Sequence, residues 1–425
     1  MLAEAGRRLS DARAISQVLV GTVRGLSGVK PMLIQVVPRR AAEPNGVADY
    51  AEALAHALRD RNGIRSVFLS GTSSVLASPS QDEWQTISLA QRKPRILADT
   101  IGSLSAEGKA RAVLLHFSGY GYQKRGVPFW LSQGLQIWGR HAGRIPLITM
   151  FHELYATSPP WHSAFWLSPF QKRIARNILT LSSAALTPTN LVRRRLSDWR
   201  NDDDGKTVTA MPVFSNVGEP GRGADPCARA PTAVVFGLTG VEDRLFGTYR
   251  SEVERIVRTL GIERILDIGP RVSPMPGNLA GVPVISKGAL PQRAVSELLQ
   301  HARFGFVAYP VEFLGKSGVF AAYAAHGVVP LVLSDRDRLT SLDGLRTMQH
   351  FIDGLGLQAN VAADDLAMIQ RELFAWYMSH ALRVQADFLA RLMLPWPRCP
   401  ENSLKLFRDG QTCLDENGSG TREAL

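Results

Sequence analysis

Cysteine is scarce in this chain: Cys227, Cys399 and Cys413 are the only three, far apart and with no C-x-x-C pair among them. A disulfide framework or a thiolate zinc site needs more cysteines at closer spacing, so a reducing compartment is expected. The nine histidines are scattered, and no metal site is expected. The single Asp-x-Asp, Asp335-Arg336-Asp337, reads as a loop after a late strand, and Asp202-Asp203-Asp204 beside Gly205 as a solvated turn. No stretch approaches the roughly 18 to 20 consecutive apolar residues that a bilayer span requires. The first thirty residues are basic but lack an apolar core followed by a small-residue cleavage site, which argues against a secretory leader. They read as an extension, poorly ordered or helical. Acidic side chains are also in deficit: 38 Asp and Glu face 49 Lys and Arg, a formal net charge of +11. That excess favours anionic partners such as phosphorylated small molecules or acidic lipid head groups. Nothing resembles a zinc finger, an RNA-recognition sheet motif or a basic zipper, so no nucleic-acid partner is expected.

What the chain does have is alternation. With 425 residues, 45% of them hydrophobic, it can build two or three domains with proper cores. Short apolar runs at Met32 to Val37, Ser66 to Leu69, Ala112 to His116, Leu147 to Met150 and Ala184 to Thr187 read as strands separated by helix-length segments. Residues 216–231 are rich in Gly and Pro without periodicity and form the linker; beyond it the pattern restarts. Strands are expected at Ala233 to Phe236, Arg264 to Ile268 and Val282 to Ile285, helices around Tyr249 to Leu260 and Pro291 to Ala302, and one or two helices over Asp364 to Leu392. The expected organisation is an extension (1–30), a first α/β domain (31–215), the linker (216–231), a second α/β domain (232–395) and a polar tail (396–425). Such alternation implies mostly parallel, doubly wound sheets with ligands at the carboxyl ends of strands.

Several polar residues fall at such ends. His152 and Glu153 follow the strand ending at Met150, and Gly119-Tyr120-Gly121-Tyr122 follow the one ending at His116. Gly46 stands between the first strand and a helix bearing Val47, Tyr50, Leu54 and Leu58 on one face. The stretch from Phe304 to Leu333, FGFVAYPVEFLGKSGVFAAYAAHGVVPLVL, reads as one strand-helix-strand unit. Glu312 lies in the loop after its first strand, Lys316, Ser317 and Gly318 stand where the helix begins, and Gly327 caps its end. A helix start offers unpaired N–H groups and a partial positive charge, so Lys316 as a cation, Ser317 as a donor and Gly318 for close approach suit a phosphate. The same residues would also serve as a tight turn with a solvated lysine, and a strand-end histidine can be purely structural. From Trp161 to Arg195, aromatics mix with Lys172, Arg173, Arg176 and Arg193-Arg194-Arg195. Such a surface suits either an anionic membrane face or a core-packing helix with one basic side.

The segments PNGVADYAEALAHAL, ITMFHELY, KGALPQRAVSELLQHARFGFVAYP and EFLGKSGVFAAYAAHGVVPLV, in this order, resemble the GT-B glycosyltransferases. The closest likeness is to the retaining nucleotide-sugar enzymes of group 1, or family 4, and it runs from about Met32 to about Leu392. The resemblance implies two Rossmann-like domains facing across a cleft, with a UDP- or GDP-sugar donor mainly in the second and no separate cofactor. The acceptor, a polysaccharide, lipid-linked or small molecule, would lie in the first. It implies that Gly46 lies near the donor diphosphate, that His152 faces the donor sugar, and that Glu312 is the first of the family's paired glutamates. The backbone from Lys316 to Val319 would take the diphosphate; Glu153 and Arg244 are secondary candidates. A cytoplasmic location follows, with peripheral contact at the inner membrane face through residues 161–195. Two features depart from the family. The second glutamate falls on Phe320, Ala322 or Tyr323, depending on whether it is counted from Glu312, Gly327 or Pro330. The basic pair after the first strand of the second domain has no counterpart in GLTGVEDRLFGTYR beyond Arg244, unless Lys316 serves. A catalytically inactive binding or partner subunit is therefore the alternative reading.

Overall fold

The computed structural model describes residues 31–393 apart from 39–45, 72–84, 107–109, 141–144, 157–160, 162, 201–205, 221–222, 224, 238–243, 271–275 and 335–340. The expected N-terminal extension, the polar tail, Pro44 and Asn45, Asp202 to Asp204 and Asp335 to Asp337 all lie outside the described residues.

The first half builds a seven-stranded parallel sheet in the order β3-β2-β1-β4-β5-β6-β7. Its strands are β1 (Met32–Val37), β2 (Arg65–Ser70), β3 (Gln85–Ser88), β4 (Ala110–Phe117), β5 (Leu147–Phe151), β6 (Ala184–Thr187) and β7 (Thr207–Ala210). Helices α1 (Gly46–Asn62), α2 (Pro94–Ala106), the single turn α3 (Gly119–Tyr122), α4 (Phe129–Gly139), α5 (Ser163–Leu181) and α6 (Asn190–Ser197) connect them. The inner strands are nearly continuous apolar runs because both faces are covered. Edge strand β3 is polar and half exposed, which is why periodicity does not single it out.

A second seven-stranded sheet has the order β10-β11-β9-β8-β12-β13-β14. It comprises β8 (Thr232–Phe236), β9 (Arg264–Ile268), β10 (Asn278–Leu279), β11 (Val282–Gly288), β12 (Phe304–Val307), β13 (Val329–Val332) and β14 (Ile352–Asp353), with only β10 antiparallel to its neighbour. Its helices are α7 (Arg250–Thr259), α8 (Gln292–His301), α9 (Gly318–His326), α10 (Ala363–Met378) and α11 (Leu382–Met393). Helix α9 is apolar on every side and buried from Phe320 to His326, as a helix without a polar face must be. Gly327 ends it at φ 66°, the left-handed conformation a glycine takes at no steric cost. Buried Arg229 satisfies the ends of two helices, its guanidinium donating to the carbonyls of Ala302 and His326 at 3.0 and 2.9 Å.

The chain does not stay with the second sheet to its end. Helix α11 packs against α1 of the first half, where Asp387 meets Arg61 at 2.8 Å and Gln385 Oε1 accepts from the Tyr50 hydroxyl at 2.5 Å. Chain order alone places these residues in the second domain.

Packing in the second sheet turns on one glycine. A Cβ on Gly305 of β12 would lie 2.5 Å from the ring of Tyr323, whose hydroxyl donates to the carbonyls of Val234 and Phe306 at 3.1 and 3.3 Å. The ring is anchored on both sides and cannot yield, so Gly305→Ala is expected to lower unfolding free energy by about 1–3 kcal/mol, the usual scale of overpacking. Urea denaturation of the two proteins checks this; a difference below about 0.5 kcal/mol would show that the ring can move aside.

Candidate functional site

Strand order reverses between β1 and β4 in the first sheet and between β8 and β12 in the second. Loops diverge at such switch points and leave a crevice beyond the carboxyl ends. His116 lies near the end of β4, His152 and Glu153 just beyond β5, and Lys316 in a 3-10 turn, Val311–Lys316, beyond β12.

Register explains what gathers in the first domain. Gln35 of β1 pairs with Leu114 of β4, and His116 is two residues farther on, so both side chains leave the same face of the sheet. That face is covered by α1, whose Tyr50 ring lies edge-on to His116 and His152 at centroid distances of 5.8 and 5.3 Å. The His152 N–H donates to the Phe117 carbonyl at 2.9 Å, which carries the ladder one residue past β5. The rings of His116 and His152 lie side by side and nearly parallel, 22° apart, with their centroids 5.5 Å apart.

Burial sets their charge. It holds His152 down to about 3, with the positive charge of Lys316 adding to the effect. His116 lies well below the usual histidine range, first through burial and then through His152. Both are neutral near pH 7.

Lys316 reaches this wall because the two halves approach closely at Gly315. Its carbonyl accepts from the Val213 N–H at 2.8 Å, and a Cβ there would sit 2.8 Å from the Pro188 carbonyl oxygen. Lys316 Nζ then meets Glu153 Oε1 at 3.0 Å, while Glu153 Oε2 accepts from Ser118 Oγ at 3.1 Å. Both ion-pair side chains are partly solvated, 31% and 44% exposed, so the pair is worth at most about 1 kcal/mol and can exchange partners.

His152, Glu153 and Lys316 line one cavity of about 330 Å³, with Tyr120, Gln171 and Arg195 on the first-domain side and Tyr309 and Phe313 on the second. This volume is within the range of about 300–1,000 Å³ usual for small-molecule sites. A larger hollow of about 480 Å³, lined by Lys93, Arg95, Gln133 and Arg140 on and beside α2 and α4, receives nothing from the second domain. Among the described residues no three His, Cys, Asp or Glu side chains are placed to hold a metal ion.

Gly46, Arg244, Glu312, Ser317, Gly318 and Val319 lie outside the lining of the cavity. Gly46 is the exposed first residue of α1, and Arg244 is exposed at the start of the π-helical turn Arg244–Thr248. Glu312 is half-buried in the same 3-10 turn as Lys316. Ser317 caps α9 itself, its Oγ accepting from the Phe320 N–H at 3.2 Å, and Gly318 and Val319 form the first turn, Gly318 against Asn216. Phe320, Ala322 and Tyr323, the three counts for a second glutamate, are all fully buried, so none reaches the cavity. His116 and Gln35 went unnoticed. His116 could have been found by the rule that found His152, since it too is a polar residue ending an apolar strand.

No family model and no curated protein sequence matches the chain. Among solved structures, it is similar to an alpha,alpha-trehalose 6-phosphate synthase from Burkholderia multivorans, at 13% identity over 86% of this chain and 98% of that one, TM-score 0.54. It is similar also to a structure described as trehalose-6-phosphate from E. coli bound with UDP-2-fluoro glucose, at 12% identity over 87% and 100%, TM-score 0.53. A third is the lipopolysaccharide outer core galactosyltransferase WaaB in its apo form, at 10% identity over 85% and 99%, TM-score 0.51. The fold is that of the GT-B glycosyltransferases, two Rossmann-like domains facing across a cleft.

A histidine buried neutral in the fold takes up a proton on unfolding once the pH falls below its unfolded value near 6.5. Its contribution to stability is therefore full above that value and declines on acidification, for His152 down to about 3. Replacing His152 with Asn removes one such proton. Between roughly pH 6 and pH 5 the unfolding free energy of the variant is expected to fall about 1 kcal/mol less than that of the parent. Equal slopes in urea titrations would mean that His152 is charged in the folded protein.

Proposed function

We propose that the chain is a glycosyltransferase that moves a sugar from a nucleotide-sugar donor to a polysaccharide, lipid-linked or small-molecule acceptor. The observation that carries this reading is that Lys316 of the second domain and His152 and Glu153 of the first face one cavity at the carboxyl ends of both sheets. Glycosyl transfer needs the departing diphosphate neutralised and the donor sugar held, and these are chemistries of opposite kind. A lysine beside a helix start suits the first.

In this reading a diphosphate takes Lys316 from Glu153 and also meets Ser317, Gly318 and Val319 at the start of α9. His152 contacts the sugar, Glu312 approaches its hydroxyls, and Glu153, once released, is free for the acceptor. Gly46 and Arg244 stay secondary. The similar structure described as bound with UDP-2-fluoro glucose supports a UDP-linked donor, and GDP is the alternative.

The first domain also presents an aromatic surface beside the cavity. On the stretch leading into and along α5, Trp161, Phe165, Trp166 and Phe170 are 81%, 40%, 69% and 50% exposed. Phe170 meets exposed Phe129 of α4 at 6.2 Å, and Arg173 and Arg176 follow on the solvent side. The buried side of the helix, Ile174, Ala175, Ile178 and Leu179, packs into the core, so core packing and surface contact occupy different faces. We take this surface to rest on an anionic cytoplasmic membrane face, which favours a lipid-linked acceptor. Among the described residues no helix is long and apolar enough to cross a membrane.

Two outcomes are expected. UDP- or GDP-sugars raise the melting temperature, and Lys316→Ala weakens that binding about tenfold or more, the scale of one lost charge-assisted contact; no shift with any donor in a panel would remove the reading. In sedimentation with liposomes, the protein follows vesicles containing phosphatidylglycerol but not phosphatidylcholine alone. Trp166→Ser with Phe170→Ser releases it, whereas retention of the double variant would leave the aromatic surface without this role.

A further inference from the structure

One ring nitrogen of His152 is already engaged, by a polar chain that runs back into the first sheet. Gln35 Nε2 donates to Ser66 Oγ at 2.9 Å, Gln35 Oε1 lies 2.8 Å from His116 Nε2, and His116 Nδ1 lies 3.3 Å from His152 Nε2. Gln35, Ser66 and His116 are 0%, 4% and 0% exposed, so water does not interrupt the chain. An amide oxygen only accepts, which puts the proton of His116 on Nε2 and leaves its Nδ1 bare. The bare nitrogen in turn takes the N–H of His152 Nε2. A neutral imidazole has one such proton, so His152 Nδ1 is unprotonated. Lys316 acts in the same sense: a cation on the opposite wall of the cavity favours a lone pair on that side over an N–H. Tyr50 does not occupy the bare nitrogen as a donor, because its hydroxyl proton goes to Gln385 Oε1 at 2.5 Å.

We infer that Gln35 and His116 are positioning residues that hold His152 as its Nε2–H tautomer. The one polar contact His152 has left for a ligand is then an acceptor at Nδ1, suited to a sugar hydroxyl and unsuited to a phosphate oxygen. The inference rests on the transferase reading and divides its labour: Lys316 takes the anionic part of the donor and His152 the hydroxylated part. Neither His116 nor Gln35 lines the cavity, so both act through His152.

The sense of the chain is open to direct measurement. Turning the Gln35 amide over would reverse every donor together and give His152 the opposite tautomer. Full-length protein carrying 15N-histidine, with His152 assigned by His152→Asn, reports the protonation of each ring nitrogen in two-bond 1H–15N spectra near neutral pH. The expected result is a protonated Nε2 and a bare Nδ1, with the Nδ1 resonance moved by UDP-glucose or GDP-mannose but not by UDP or GDP alone. His116→Leu removes the acceptor and is expected to mix the tautomers and lower sugar transfer about tenfold, the size of one neutral hydrogen bond. His116→Asn, whose Oδ1 can accept in place of Nδ1, is expected to restore the single tautomer and the rate, which loss of packing alone would not allow. A protonated Nδ1 in the parent protein, an unchanged tautomer in a folded His116→Leu variant, or equal shifts with the sugar-free nucleotides would each overturn the inference. If the tautomer is as stated and no nucleotide sugar moves any resonance, the positioning role stands and the transferase reading alone falls.

Discussion

Where Gly315 meets the segments that follow β6 and β7, two backbones touch. Its carbonyl accepts from Val213 at 2.8 Å, and only the missing Cβ admits the Pro188 carbonyl. This contact sets the separation of the cavity walls, because Lys316 is the next residue and its reach to Glu153 depends on where the turn is pinned. Neighbouring bonds hold the same seam: half-buried Asp343 accepts from the backbone and side-chain amides of Asn190 at 2.6 and 3.0 Å. Tyr377 donates to Glu219 while its oxygen accepts from the Ser215 N–H at 2.9 Å, and Gln385 donates to the Pro212 carbonyl at 2.7 Å. Buried hydrogen bonds of this sort are costly to leave unmade. They, and not the exposed Lys316–Glu153 pair, carry the rigidity, which leaves the lysine free to change partners.

The two walls are opposite in character, and burial is the reason. On the first-domain side, desolvation strips the histidines of charge and leaves a neutral polar chain backed by Tyr50 and Phe214, whose rings stack at 4.5 Å. On the second-domain side stands the ammonium of Lys316, partly exposed to solvent. A ligand with an anionic part and a hydroxylated part matches this division, which is the electrostatic content of the proposed donor site. The aromatic surface of α5 adjoins the same cavity through Gln171, which donates to the Tyr120 hydroxyl at 3.2 Å.

Local patterns in the chain were legible where a single physical rule governs them. The run from Met32 to Val37, the strand from Arg264 to Ile268 and the left-handed cap at Gly327 follow from apolar runs and glycine chemistry, and all stand where those rules place them. The 3-10 turn before α9 was not legible, and it matters. It carries Lys316 forward to the cavity while Glu312, four residues earlier, stays outside the lining. Spacing along the chain does not convert to direction in space when the turn type is unknown. Gln35 was missed for a related reason: it sits inside a strand whose apolar character dominates its reading, and only register brings it onto the face of His116.

By itself, the sequence determined two doubly wound sheets and the strand ends at which polar residues collect, because burial of apolar runs and helix periodicity act over short distances along the chain. Only the tertiary structure decided which of those residues face each other. The return of α11 to α1, the contact at Gly315 and the chain from Ser66 to His152 join positions from 31 to 335 residues apart. No local rule records such pairings, since they arise from how two packed cores dock.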